Sequence, residues 1–196
     1  KYWEKLQVDQ RIAKLEKIED QVKHMTTLLD DVLMVGKAEA GKITSQPSLI
    51  NFNEFIQPII EEVLSASHNT HKINLLNNNP DTEIFIDEKL GRNIFINILS
   101  NAIKFSPDAN QVEFQIEAYD KNIEIKITDY GLGISKEDQN DIFVPFQRGS
   151  NADTIQGTGL GLAIVKEAIN LHNGSIQIES KLNEGTTFII QLPKKA

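Results

Sequence analysis

Near the N-terminus, apolar positions recur at alternating steps of three and four: Leu15, Ile18, Val22, Met25, Leu29 and Val32. This heptad seam predicts a long helix ending between Gly36 and Gly41, with its stripe buried against partner helices in a bundle or on its own domain. The pattern then changes. Phe52 to Ala66 reads as a helix capped by Asn51 or Asn53, Lys72 to Leu76 and Glu83 to Ile86 as short strands, and Asp87 to Phe105 as a second amphipathic helix. Strict alternation returns in Val112 to Tyr119 and Asn122 to Asp129, joined across Asp120-Lys121. Ser175 to Ser180 and Thr186 to Leu192 flank a turn containing Asn183-Glu184-Gly185. Strands grouped with helices on one face predict a two-layer α+β sandwich.

Three segments carry candidate chemistry. On the helix ending at Phe105, Asn97, Asn101 and Lys104 fall on one face, while Ile94, Ile98, Leu99 and Ile103 supply core contacts. Carboxamide oxygens are hard donors suited to Mg²⁺, and a nearby ammonium neutralises phosphate. A half-exposed helix whose amides meet water has the same spacing. The strand ending at Asp129 runs into Tyr130-Gly131-Leu132-Gly133-Ile134, placing a carboxylate that can accept from an exocyclic amine beside two glycines that permit a close turn; an Asp-Gly turn without ligand fits equally. Gln156-Gly157-Thr158-Gly159-Leu160-Gly161-Leu162 leads from a glycine-rich loop into an apolar helix ending near Leu171-His172-Asn173-Gly174, a candidate phosphate cradle. It has neither the Gly-Lys-Ser/Thr ending of a P-loop nor a strand directly before it.

Composition narrows the partners. A net charge of −8 argues against a general nucleic-acid binder, and 40% hydrophobic content over 196 residues supports one buried core with an appendage. There is no cysteine, which excludes disulfides and thiolate metal sites. No run is long enough to span a membrane, no secretory signal opens the chain, and the first residue is not Met, so the sequence reads as a fragment.

Taken in order, the three segments resemble the catalytic core of a two-component sensor histidine kinase. Asn97 to Pro107 is similar to the family's N box, Asp129 to Ile134 to its G1 box, Ile142-Phe143-Val144-Pro145-Phe146-Gln147-Arg148 to its F box, and Gly157 to Leu162 to its G2 box. The resemblance covers nearly all of residues 44 to 193. Val22 to Lys42 is similar to the second helix of the dimerisation and phosphotransfer domain, which divides the chain into 1–43 and 44–196. The implied fold is the histidine kinase ATPase-like (Bergerat) sandwich behind a long bundle helix. The implied ligands are ATP and Mg²⁺.

By the same resemblance, Asn101 coordinates Mg²⁺ with Asn97 assisting, Lys104 lies near the phosphates and Phe105 lines the pocket. Asp129 takes the adenine amine, with Gly131, Gly133 and Ile134 shaping the base site. Gly157, Thr158, Gly159, Leu160, Gly161 and Leu162 frame the triphosphate, and Arg148 contacts the γ-phosphate. Asn97, Lys104 and Arg148 are thus the implied catalytic set. Ser135 to Gln156 reads as a mobile ATP lid, with Phe143 and Phe146 as apolar anchors rather than ligand contacts, although Phe146 is counted beside the nucleotide. Tyr130 stands where the family often has Asn.

The family's acceptor histidine, followed by an acidic residue, has no counterpart. His24, His68, His71 and His172 all read as structural. The implied partners are a second copy through the N-terminal helix and a response-regulator receiver domain, with no nucleic acid and no membrane contact. The implied location is cytoplasmic, within a parent protein that is free to be membrane-anchored. Two other classes fit part of the pattern. Gyrase- or chaperone-type ATPases usually carry Glu where Asn97 stands, and a carboxamide is a poor general base. A dimerising module with a vestigial pocket would not need Asn101, Asp129 and all three glycines.

Overall fold

The structure, a computed structural model, describes residues 7–149, 155 and 157–194, without the side chains of Asp20, Lys23, His24 and Glu39. The expectations for His24, for the small polar stretch 150–154, for Gln156 and for the end of the tail lie outside the described residues. A 32-residue helix, α1 (Val8–Glu39), leads the chain. It runs through Gly36 and ends before Gly41, whose φ is +63°, so Gly41 and not Gly36 is the terminating glycine. The seam residues Leu15, Ile18, Val22, Met25, Leu29 and Val32 are all exposed, from 40% at Val32 to 70% at Met25. Toward its C-terminal end α1 meets the rest of the chain, where Met34 packs on the core and its Sδ accepts from Asn93 Nδ2 (3.4 Å).

The remaining elements are β1 (Ser48–Asn51), α2 (Phe52–Ala66), β2 (Lys72–Asn77), β3 (Glu83–Ile86), α3 (Glu88–Lys104), β4 (Gln111–Ala118), β5 (Asn122–Asp129), α4 (Gly161–Leu171), β6 (Ser175–Lys181) and β7 (Gly185–Pro193). A five-stranded sheet has the order β2-β4-β5-β7-β6, with β2 parallel to β4 and the other neighbours antiparallel. The expected strand Glu83–Ile86 does not join it, because β3 pairs antiparallel with β1 in a separate ribbon. The two caps follow elementary chemistry: Asn51 accepts from Glu54 N–H to open α2, and Asp87 accepts from Lys89 and Leu90 N–H to open α3.

Alternation explains the core. Val112, Phe114 and Ile116 of β4 and Ile123, Ile125 and Ile127 of β5 point to one face, under α2, α3 and α4, and are at most 1% exposed. Phe52, Phe95 and Phe114 are fully buried, with Phe52 and Phe95 edge to face at 5.4 Å between centroids. The polar face of the sheet is turned outward, completing the expected two-layer sandwich.

The described histidines with buried rings are structural, as expected. His71 Nε2 donates to Ser106 O (3.0 Å) and its Nδ1 meets Thr70 Oγ1 (2.9 Å). His172 ties two helices together: Nε2 accepts from Asp87 N–H (2.9 Å) at the start of α3, and Nδ1–H donates to Ala168 O (2.6 Å) at the end of α4. An amide N–H can only donate, so these partners fix the Nδ1–H tautomer.

Candidate nucleotide site

A cavity of about 530 Å³ opens where α3, the end of β5 and the glycine loop meet, within the range of ordinary cofactor sites. Its floor is α3. The helical spacing of Asn97, Asn101 and Lys104 delivers all three side chains to the cavity, with Phe105 at its edge. Asn97 is oriented by its own helix: Nδ2–H donates to Asn93 O (2.8 Å), which leaves Oδ1 towards the loop. A Cβ on Gly161 would lie 2.4 Å from that oxygen, so any larger residue at the start of α4 would have to displace the Asn97 side chain.

At the end of β5, Asp129, 4% exposed, accepts from the N–H groups of Gly131 (3.0 Å) and Thr186. Burial pushes its carboxyl up to about 6, against the downward pull of those two N–H groups. Gly133 and Ile134 line the cavity beside it. Gly131 does not reach the lining. It abuts the end of α3, where a Cβ would stand 2.0 Å from Phe105 O, and so shapes the site from behind.

The cationic end is formed by Lys104 and Arg148. The Lys104 ammonium is pushed below its ordinary range, first by burial and then by repulsion from Arg148. Its Nζ lies 5.4 Å from the Phe105 ring centroid, within cation–π range. Arg148 donates to Ile155 O, and Gly157, Thr158, Gly159, Gly161 and Leu162 complete the wall.

Besides Gly131, two residues of the expected set lie off the lining. Leu160 is fully buried and anchors the loop from below. Phe146 corrects the reading as an apolar anchor: it is 67% exposed, with φ +66° and its N–H donating to Gly159 O (2.9 Å), an arrangement that turns the ring out to solvent. Phe143, by contrast, packs against the core as expected.

The structure adds wall residues that the sequence reading did not count in the site. Thr186 and Phe188 arrive from β7, because β5 and β7 pair with Asp129 opposite Thr186. Thr27 and Asp31 arrive from α1, and Ser100, Ile142, Gln147, Gly149 and Ile155 fill the remainder. Among the described residues no group of three His, Cys, Asp or Glu could hold a metal. A cation here would use the Asn97 and Asn101 carboxamides together with ligand oxygens. This donor set suits Mg²⁺, which keeps several waters and binds through phosphates.

A sheet with helices on one face, and a cavity lined by a buried carboxylate, two cations and a glycine loop, define a nucleotide-binding α+β domain. The sequence model described as "Histidine kinase-, DNA gyrase B-, and HSP90-like ATPase" matches residues 86–196, and the chain belongs to that family. The histidine protein kinase DivJ of Caulobacter vibrioides is 34% identical over 181 residues, covering 91% of this chain and 30% of that protein. The sensor histidine kinase WalK of Bacillus subtilis is 32% identical over 185 residues, covering 90% and 30%. The crystal structure of full-length ShkA in complex with AMPPNP superposes with a TM-score of 0.81 at 25% identity, covering 98% of this chain and 40% of that one. The chain thus spans about a third or less of the length of these curated relatives.

Proposed function

We propose that this chain is the ATP-binding catalytic part of a sensor histidine kinase, transferring the γ-phosphoryl group of Mg-ATP to a histidine outside this sequence for relay to a receiver-domain aspartate. The observation that carries the reading is one cavity lined together by a buried acceptor, Asp129, by the cations Lys104 and Arg148, and by the carboxamides of Asn97 and Asn101. Asp129 accepts from the adenine amine. Lys104 and Arg148 draw the phosphates and spread the charge that develops on the transferred group. Asn101 and Asn97 would hold Mg²⁺, which would supply charge neutralisation for the phosphates. Asn97 cannot take a proton from water, which favours transfer over hydrolysis.

The exposed α1 seam is the dimer contact, since an apolar stripe of this length is stable in water only when covered. The receiver domain of a response regulator is the downstream partner, and the working location is cytoplasmic, where ATP is supplied. No described helix is long and apolar enough to cross a membrane.

Calorimetric titration with ATP and ADP, with magnesium and with a chelator, tests the reading. Saturable binding that weakens without magnesium is expected, and well-folded protein giving no heat with either nucleotide would overturn it. Incubation with radiolabelled ATP is expected to leave the chain unlabelled, and label at His24 would overturn the external acceptor.

A further inference from the structure

The hydroxyl of Ser180, on β6, uses its whole hydrogen-bonding capacity next to the purine end of the cavity. It accepts from Ile134 N–H (2.8 Å), donates to Gly185 O (2.9 Å) and meets Thr186 Oγ1 at 2.9 Å. A serine hydroxyl has one proton. With that proton on Gly185 O, Thr186 must supply the hydrogen in the third contact, leaving its hydroxyl oxygen as an acceptor. Thr186 lines the cavity beside Asp129, and Asp129 accepts the Thr186 backbone N–H. The purine wall therefore presents two neighbouring acceptors.

Gln139 braces this arrangement. Its Nε2 donates to Ile134 O (2.9 Å) and to Ser180 O (3.0 Å), so one side chain joins the segment after Gly133 to the β6 strand. Ile134 is thereby held at both backbone groups, its N–H by Ser180 Oγ and its carbonyl by Gln139.

We propose that Ser180, braced by Gln139, is a specificity-positioning residue of the purine subsite. By taking up the Thr186 hydroxyl proton, it makes the wall read an exocyclic amine and reject a 6-oxopurine. The inference rests on the nucleotide reading above and concerns only which base is accepted. An amine brings two N–H donors to two acceptors. A carbonyl in the same place meets two lone pairs and leaves them unpaired, the situation in which a hydrogen-bonding site discriminates most strongly. Without Ser180 Oγ, the Thr186 hydroxyl is free to rotate and donate to that carbonyl.

The test is calorimetric titration with Mg-ATP and Mg-ITP at pH 7.5, using the wild-type chain and the Ser180→Ala, Ser180→Thr and Gln139→Leu variants. ITP replaces the amine by a carbonyl and adds a proton on N1. The wild type is expected to prefer ATP by about tenfold or more, and Ser180→Ala to reduce that preference by about tenfold, the worth of one hydrogen bond to a polar ligand group. Ser180→Thr keeps the hydroxyl and is expected to restore the preference. Gln139→Leu is expected to move it in the same direction as Ser180→Ala by a smaller factor. A merely structural role would reduce the folded fraction, weakening both ligands equally and leaving their ratio unchanged. An unchanged ratio in Ser180→Ala, with ATP still bound, overturns this inference alone. A wild-type chain that binds neither nucleotide overturns the nucleotide reading and this inference with it.

Discussion

Asp129→Asn should make the empty protein more stable and the nucleotide complex weaker. The folded carboxyl titrates near 6 against an ordinary value of 3.8, chiefly because it is buried. Between those two values the folded chain binds more protons than the unfolded one, so this group's contribution to stability falls as pH rises through the window and is constant above it. The difference of about 2.2 units corresponds to a penalty of up to ~3 kcal/mol at pH 7.5, falling below ~1 kcal/mol near pH 4.

Asparagine keeps an oxygen for the Gly131 and Thr186 N–H groups and carries no charge to desolvate. The variant is therefore expected to melt about 6–12 °C higher than the wild type at pH 7.5, given ~2–4 °C per kcal/mol for a chain of this size, and close to it at pH 4. Loss of the charged acceptor for the purine amine is worth about 1.5–3 kcal/mol, a weakening of ATP by roughly ten- to 150-fold. Thermal unfolding without ligand at both pH values, and calorimetry with Mg-ATP at pH 7.5, read the two effects separately. A variant less stable than wild type at pH 7.5, or one that binds ATP as tightly, would refute the assignment of Asp129 as a desolvated purine acceptor.

Three further outcomes follow from the site and the helix. Asn101→Ala is expected to remove the magnesium-dependent share of ATP binding, so that affinities with magnesium and with chelator converge; a persisting difference would place the metal elsewhere. Gly161→Ala forces a methyl group against Asn97 Oδ1 and is expected to weaken Mg-ATP by about tenfold while lowering stability by about 1 kcal/mol or less, as read by calorimetry and urea unfolding. Met25→Glu with Leu29→Glu places charge on the exposed seam. It is expected to shift sedimentation from dimer to monomer with ATP affinity unchanged, and a variant that still sediments as a dimer would move the contact off this stripe.

The floor of the site was legible in the sequence because it lies on one helix. The period of α3 alone brings Asn97, Asn101 and Lys104 to one side. The β4–β5 hairpin was equally legible, since its alternation fixes both register and the strand-end position of Asp129. Thr186 was not, although it touches the same carboxylate. It lies far along the chain and is brought in by pairing between β5 and β7, which no local pattern encodes; the available clue was Gly185-Thr186 directly after the last turn. Thr27 and Asp31 were missed for a related reason, because the seam indicated which face of α1 was apolar and gave no sign that its polar side meets the cavity. The strand β1 was missed because it has four residues, follows Pro47 and shows no alternation. Phe146 was misread because aromatic identity suggests burial, while its left-handed backbone turns it outward.

The imidazole of His172 joins the first turn of α3 to the last turn of α4, at the end of both helices remote from the cavity. The two helices thus form a pair of tongs with a fixed rivet, the carboxamides on one jaw and the glycine loop on the other. α4 has 11 residues, so it is about 16 Å long, and a tilt of about 5° at the rivet would move the loop by about 1.4 Å. A displacement of that size is enough to bring loop N–H groups into or out of bonding range of a phosphate, and Val165, Ala168 and Ile169, by which α4 is seated in the core, set the resistance to it.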